Sequence, residues 1–414
     1  MHRRRFSALI GLGVTGWIAS SATSNDALWS GWRGNRRDGI VTDPSLPKSL
    51  DEATLKLLWT IPLDASYSGP IVDEQSVYVT ETRKAKSETI VALDRKTGSK
   101  RWEREWDGAM AVPFFAKANG DWIRSTPSMD DDCIYIAGMR DVLVCVQKSD
   151  GKERWRVDFT KQFGTPLPDF GFVCSPLIDD DALLVQAGGG LVKLNKHSGS
   201  VLWRSLVDGG GMNGSAFSSP IKAQIHGQDQ YLVQTRTQLC GVDTATGKPL
   251  WTKEVEAFRG MNILTPTVWK NQVFTSSYGG KSWLFALKPK ENEPWTVETV
   301  WEHKAQGYMS SPVVVQDHAY LHLRNQRCIC LDLANGKETW TSRPFGKYWS
   351  MVASDQRILA LDETGNLRLI EANPTEFRVL SERKVSEEEC WAHIALSQNQ
   401  LFVRHLKGLS VFEW

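Results

Sequence analysis

An excess of charge of either sign is missing from this chain of 414 residues: 49 Lys and Arg stand against 48 Asp and Glu, for a formal net charge of +1. Binding a phosphate backbone requires a concentrated excess of Lys and Arg, so no nucleic-acid partner is expected. Long hydrophobic runs are missing too. The apolar stretch from Phe6 to Ala19 is too short to cross a bilayer, and no transmembrane segment is expected in the mature chain. Cysteine is sparse. Cys133, Cys145, Cys174, Cys240, Cys328, Cys330 and Cys390 make an odd, widely spaced set that is no disulfide framework. Most are flanked by apolar strand residues and read as small buried hydrophobes. Cys328 and Cys330 share one strand face by alternation, yet no His or Cys cluster beside them completes a metal site, and no metal is expected. His318, His322, His393 and His405 have no Ser or Cys nucleophile motif near them and read as structural. The remaining balance, 41% apolar and 23% charged, is that of a soluble globular protein.

The first residues are a targeting signal. Arg3, Arg4 and Arg5 form a charged start, the short apolar run follows, and small residues around Ala22 to Ser24 offer a cleavage site. Residues 1–24 are therefore expected to be an export signal, which places the mature chain in the periplasm or otherwise outside the cytoplasm. Arg3-Arg4-Arg5-Phe6 fits the twin-arginine route, and an ordinary secretory route fits as well. No Cys lies at the cleavage site to carry a lipid. Residues 25–54 are expected to be an extension packed on the main body, with Trp29, Trp32 and Arg33 as its tether, and residues 55–414 the body itself.

A repeat fills that body. Gly98, Gly151, Gly199, Gly247 and Gly336 each precede a Trp by four residues, giving Trp102, Trp155, Trp203, Trp251 and Trp340. Self-similarity at this period marks a repeat architecture. Each unit reads as four short strands. The first opens on a Pro (Pro70, Pro127, Pro176, Pro220, Pro266, Pro312), the second is an alternating run such as SVYVT or CIYIA, the third a run such as TIVALD, and the fourth carries the Trp. Between the third and fourth, Gly supplies positive φ while Asp94, Asp243 or Asp332 bonds local backbone, so these acids read as turn formers. The Asp runs at 130–132 and 179–181 read as hairpin turns. A four-stranded sheet with two apolar faces is not stable alone. Stacking such sheets radially buries both faces, which makes an all-β propeller.

Six units begin at those prolines. A seventh begins near Tyr348 to Ala353, with Phe377 expected where the Trp should stand, and an eighth near Cys390 to Ala395. The eighth lacks a fourth strand at the C-terminus, and LKLLWTIPL, carrying Trp59, is expected to supply it. The expected fold is an eight-bladed propeller of four-stranded antiparallel blades, closed by the strand around Trp59. Trp59, Trp102, Trp155, Trp203, Trp251, Trp301 and Trp340 are then expected to pack between blades.

The A-L-D-x-x-T-G-x-x-x-W repeat resembles that of the pyrroloquinoline-quinone-type propellers. That family includes quinone-dependent alcohol and glucose dehydrogenases and the propeller lipoprotein of the outer-membrane β-barrel assembly machinery. LWSGWRGNRRDGIV, FGTPLPDFGFVCSPL, GSAFSSP and FRGMNILTPTV look like a planctomycete-type exported subgroup of it. For the dehydrogenases the resemblance implies quinone, calcium, an Asp base and often a disulfide between adjacent Cys. No two Cys are adjacent here, and the long insertions that build a cofactor chamber are missing. The expected role is a noncatalytic binding or assembly scaffold with no cofactor, an envelope protein as partner, and a monomeric state. The alternative is a quinoprotein-like oxidoreductase with pyrroloquinoline quinone and calcium, or a binder of a small polar ligand in the channel.

Function in a propeller is grafted onto the loops and the axial channel. Residues that break the repeat there are the candidates for ligand or partner binding. Trp122, Arg124, Arg259 and Asn262 precede inner strands, and Arg236, Tyr278 and Arg324 fall in one column after the second strands. Arg259 and Asn262 suit an anionic or polar ligand, or else the capping of buried backbone.

Overall fold

Runs of alternating β-branched and aromatic residues pair here into eight four-stranded antiparallel sheets, each in the order of the sequence. The computed structural model describes residues 28–42, 46–209 and 216–414; the expected export signal at 1–24 lies outside the described residues. Blade 1 runs outward from the axis through Ile71–Val72, Ser76–Arg83, Ser87–Asp94 and Lys100–Asp107. Its middle strands are buried almost throughout and its outer strand is mostly exposed. Blades 2 to 7 repeat this plan. Blade 8 takes Ala395–Ser397, Gln400–His405 and Gly408–Glu413 from the C-terminus and its outer strand, Lys56–Pro62, from the start of the propeller. Trp59 pairs with Val411, so the ring closes as the sequence indicates.

The Gly-x-x-x-Trp spacing encodes two ends of different contacts. In each blade the outer strand skips one residue of register: Lys100 and Trp102 pair with Leu93 and Ala92, leaving Arg101 out. Such a bulge re-aims the following side chain, here toward the next blade. Trp59 lies on Gly98, Trp102 on Gly151, Trp155 on Gly199, Trp203 on Gly247 and Trp301 on Gly336, where a Cβ would meet the indole at 2.4–2.8 Å. The same glycines hold φ of 71–74°. Glycine is thus needed twice over, for backbone and for the approach of the ring. Five indoles also donate across the joint, from Trp59, Trp102, Trp155, Trp301 and Trp340 to the carbonyls of Arg95, Lys148, Lys196, Leu333 and Asn373 at 2.7–3.1 Å. Gly151→Ala combines a strained φ with overpacking against Trp102. It should lower the unfolding free energy by about 2–4 kcal/mol, read as a drop in the urea midpoint; an unchanged midpoint would show that the joint is slack.

Two blades depart from the pattern. Trp251 donates to Gln230 Oε1 of its own blade at 2.7 Å. In blade 7 the expectation for Phe377 is corrected by the register. Val379 and Ser381 pair with Ile370 and Leu369 across the bulge, so Ser381 stands at the Trp position. Phe377 lies in the preceding turn and packs on Trp340 of blade 6, with ring centroids 5.3 Å apart. The room left by the small Ser381 is taken by the N-terminal extension. Leu50 N–H donates to Ser381 Oγ at 3.0 Å, and Leu46, Leu50 and Leu55 are buried with Leu367 and Leu369 in one core. The serine makes sense only with that insert, which the spacing alone does not reveal.

Nearer the axis a second belt joins the blades. The residue before each strand-opening Pro is Ser or Thr in four linked cases, and its hydroxyl accepts from the backbone N–H of the blade before it. Gly69 donates to Thr126, Thr126 to Ser175, Ser175 to Ser219, and Thr265 to Ser311, at 3.0–3.1 Å. Inside this belt the channel is crossed by residues 28–42. Trp29 bridges to Val72 of blade 1, and Ser30 accepts from Met129 of blade 2. Trp32 donates to Thr265 of blade 5, and Ile40 bridges to Ala353 of blade 7. Arg37 donates to the carbonyls of Ser175 and Pro176 in blade 3, and Arg33 to that of Pro312 in blade 6. The segment is a spoke across the ring.

Candidate functional site

Above the spoke lies a cavity of about 180 Å³. It is built by one column of the repeat, the residue three before each strand-opening Pro. Tyr67, Arg124, Val173, Phe217, Ile263 and Met309 all line it, with Trp32 among the residues closing it below. Such residues converge because each follows the outer strand of one blade and enters the inner strand of the next. Five of the six are apolar or aromatic. Arg124 alone carries a charge. Its Nη2 donates to the carbonyl of Gly120 at 3.0 Å and its Nε to that of Trp122 at 3.3 Å. Burial pulls its pKa down to about 10, with Tyr67 and Asp121 acting against that. His393 also lines the wall, but burial and then the nearby Arg33 hold it down to about 3, so it is neutral. The connection from blade 1 to blade 2 adds a 3-10 turn, Phe114–Asn119, whose Ala116 and Asn119 reach the wall while Phe114 and Phe115 point to solvent.

Aromatic rings from successive connections form an arc around the mouth. Trp122 meets Tyr67 edge-on at 5.1 Å, Tyr67 stacks on Trp391 at 4.6 Å, and Trp391 meets Tyr348 at 4.1 Å. Tyr348, Tyr308, Tyr278 and Phe258 continue it at 5.8, 4.8 and 5.3 Å. The sequence-selected residues fall at two places on this arc. Arg124 lines the cavity, and Trp122 stands beside it against Tyr67. Tyr278 sits farther round, with the Arg324 guanidinium 4.6 Å over its ring. Arg236 pairs with Asp208 at 2.7 Å and packs against Gly260. Arg259 is exposed at φ 51°, over Phe258. Asn262 is buried, and its amide donates to the carbonyls of Thr235, Arg236 and Val255. Tyr67, Tyr308, Tyr348 and Trp391 were not among the residues selected from sequence. The position three residues before each strand-opening Pro holds the signal for Tyr67, since it aligns Tyr67 with Arg124.

The donor set does not fit a calcium–quinone pair. Calcium takes six to eight oxygens, while no group of three or more His, Cys, Asp or Glu able to hold a metal occurs among the described residues. The axis is taken by Arg33 and Arg37, and the cavity lining contains no carboxylate.

The family model described as outer membrane protein assembly factor BamB matches residues 40–121 and 86–342. BamB of Moranella endobia (strain PCIT) is 21% identical over 374 residues, 85% of this chain and 88% of that protein. BamB of Nitrosomonas eutropha is 24% identical over 263 residues, 57% of this chain and 55% of that one. The crystal structure of BamB from Moraxella catarrhalis superposes with a TM-score of 0.61 at 15% identity, covering 87% of this chain and 98% of that chain. A europium-containing methanol dehydrogenase gives 0.55 at 11%, covering 93% and 91%. Both kinds of neighbour share the propeller, and at such identities the likeness is one of fold.

Proposed function

The chain belongs to the family described as outer membrane protein assembly factor BamB, and from that membership we propose that it is an exported, noncatalytic scaffold that holds partner proteins during assembly in the cell envelope. The observation that carries the reading is the family match from residue 40 to residue 342. The geometry supports it. The spoke of residues 28–42 fills the axis, which leaves a face rather than a channel for partners. The connections between blades all emerge on that face, and three of them carry exposed apolar residues: Phe114 at 85% and Phe115 at 55%, Val207 at 58%, and Phe258 at 48%. Exposed apolar groups gathered on one face mark interaction sites. The mature chain works in the periplasm on this reading, carried there by the signal at residues 1–24.

Proximity labelling in the native envelope tests it. A small set of envelope proteins should be labelled reproducibly, and a label spread evenly over abundant proteins would sink the reading. Phe114→Asp with Phe115→Asp should then cut partner capture at least about tenfold, as hot-spot aromatics do. The melting temperature should hold, because Phe114 packs on little beyond Phe115. Undiminished capture would move the interface elsewhere.

A further inference from the structure

Among its lining residues the cavity has one arginine and no carboxylate to balance it. Arg124 uses Nε and Nη2 on two carbonyls and leaves Nη1 without a bond. Among the described residues no ion pair to Arg124 occurs, and the lining holds no Asp or Glu. Beside it the Tyr67 hydroxyl and the Trp391 indole N–H are buried with no hydrogen-bond partner, and their rings stack 4.6 Å apart. A cation and buried donors without acceptors are each costly in an apolar setting. Trp32, Val112, Phe170, Phe217 and Ile263 supply apolar wall, beside neutral polar groups such as Asn119, Ser175 and Ser219. The arrangement combines one positive group with a space about the size of a single large side chain.

We propose that this cavity binds one carboxylate carried on a large apolar body, with Arg124 as the anion-binding group. A guanidinium matches a carboxylate in geometry and forms short, charge-assisted bonds to it. A small turn of the stacked Tyr67–Trp391 pair brings its two N–H and O–H donors to the same anion, while the apolar body fills the aromatic walls. Phosphate does not suit the site, since it leaves those walls unfilled and carries more charge than one arginine balances. The same chemistry has two sources, a free aromatic acid or the C-terminal residue of a polypeptide. The second source rests on the scaffold reading; the first does not.

Isothermal titration of the purified chain separates these outcomes. The probes are 3-phenylpropionate, its neutral amide 3-phenylpropanamide, and a short peptide ending in Phe as free acid or as amide. Acids should bind at least about tenfold tighter than the matching amides, a difference of about 1.4 kcal/mol. Arg124→Gln should erase that difference, and Arg124→Lys should retain part of it. A peptide acid binding tenfold better than 3-phenylpropionate assigns the site to a chain terminus; the reverse assigns it to a free acid. Equal binding of acids and amides, or no binding of any probe up to about 5 mM, overturns the proposal. The acid–amide comparison on the unaltered chain decides even where the variants fail to fold. Partner capture through Phe114 and Phe115 is measured separately, so loss of one reading leaves the other standing.

Discussion

Arg37→Ala should lower the unfolding free energy by about 3 kcal/mol, and the double variant with Arg33→Ala should lower it further. Both side chains are buried, at 5% and 1% exposure. Neither meets a carboxylate within ion-pair distance among the described residues; both donate through Nη atoms to carbonyls, while the Nε of each is buried without a partner. Arg37 donates to Pro176 at 2.6 Å and to Ser175 at 2.9 Å, and Arg33 to Asp38 at 2.8 Å and to Pro312. Burial lowers each pKa to about 10, which records the cost of taking the cation out of water. Each charge-assisted bond contributes about 1.5–3 kcal/mol, and relief of the buried charge on truncation returns part of that. The bonds win because the carbonyls they satisfy belong to the mouths of blades 3 and 6, on different sides of the axis. Losing the arginine loosens the spoke and the belt together. Arg37→Lys should do little better than alanine, since one ammonium cannot span two carbonyls as a guanidinium fork does. Guanidinium-chloride unfolding gives the readout, with proteolysis of residues 28–42 as a second. An unchanged midpoint in the double variant would mean that the spoke rests on the ring without bracing it.

The ring itself was legible because its signals are local and repeated. A glycine turn, an alternating strand and a Trp at fixed spacing recur often enough to count blades, and a missing last strand points to Trp59 as its replacement. Blade 7 was harder because its repeat is complemented from outside. Ser381 can stand at a Trp position only because Leu50 fills the gap from more than 300 residues away, and Phe377 offered a nearer aromatic that the bulge does not select. The site followed the same rule. Arg124 was legible only as one of the residues that precede an inner strand, where Arg259 and Asn262 stood out more. Trp391 and Tyr348 enter blades without a strand-opening Pro, so no column aligned them, and only closure of the ring brings them to Tyr67. The spoke was legible as a tether from its Trp and Arg content, but its path across the axis depends on carbonyls contributed by distant blades.

Unfolding free energy should stay nearly flat between pH 7 and about pH 4.5 and then fall steeply, because two opposed sets of buried groups titrate in that window. His322 and His393 are buried, stacked on Trp349 and beside Trp32, and burial depresses them to about 4 and about 3. A base with a folded pKa below its unfolded value near 6.5 contributes stability that is full above 6.5 and lost as pH falls. At pH 4.5 each histidine has cost about 2–3 kcal/mol. Glu88 and Asp141 act the other way. Glu88 accepts from the Trp106 indole at 3.0 Å and the Met139 backbone at 2.8 Å, and burial still pushes it up to about 7. Asp141 accepts from Gly188 and is pushed up to about 6, again by burial. An acid with a raised folded pKa loses stability as pH rises, so acidification from 7 to 4.5 restores about 3 kcal/mol at Glu88 and about 2 at Asp141. The two sums are close, hence the plateau. Below it the acids have little left to return, while His393 continues to lose. Depressed carboxylates such as Asp94, held down to about 2 chiefly by Arg101, begin to lose theirs below about pH 4. Glu88→Gln should therefore tilt the plateau downward toward acid by about 3 kcal/mol, and His393→Gln should tilt it upward by a similar amount. Denaturation midpoints measured at half-unit steps from pH 4 to 8 would read both slopes. Parallel curves for the two variants would show that neither group titrates across this window in the folded ring.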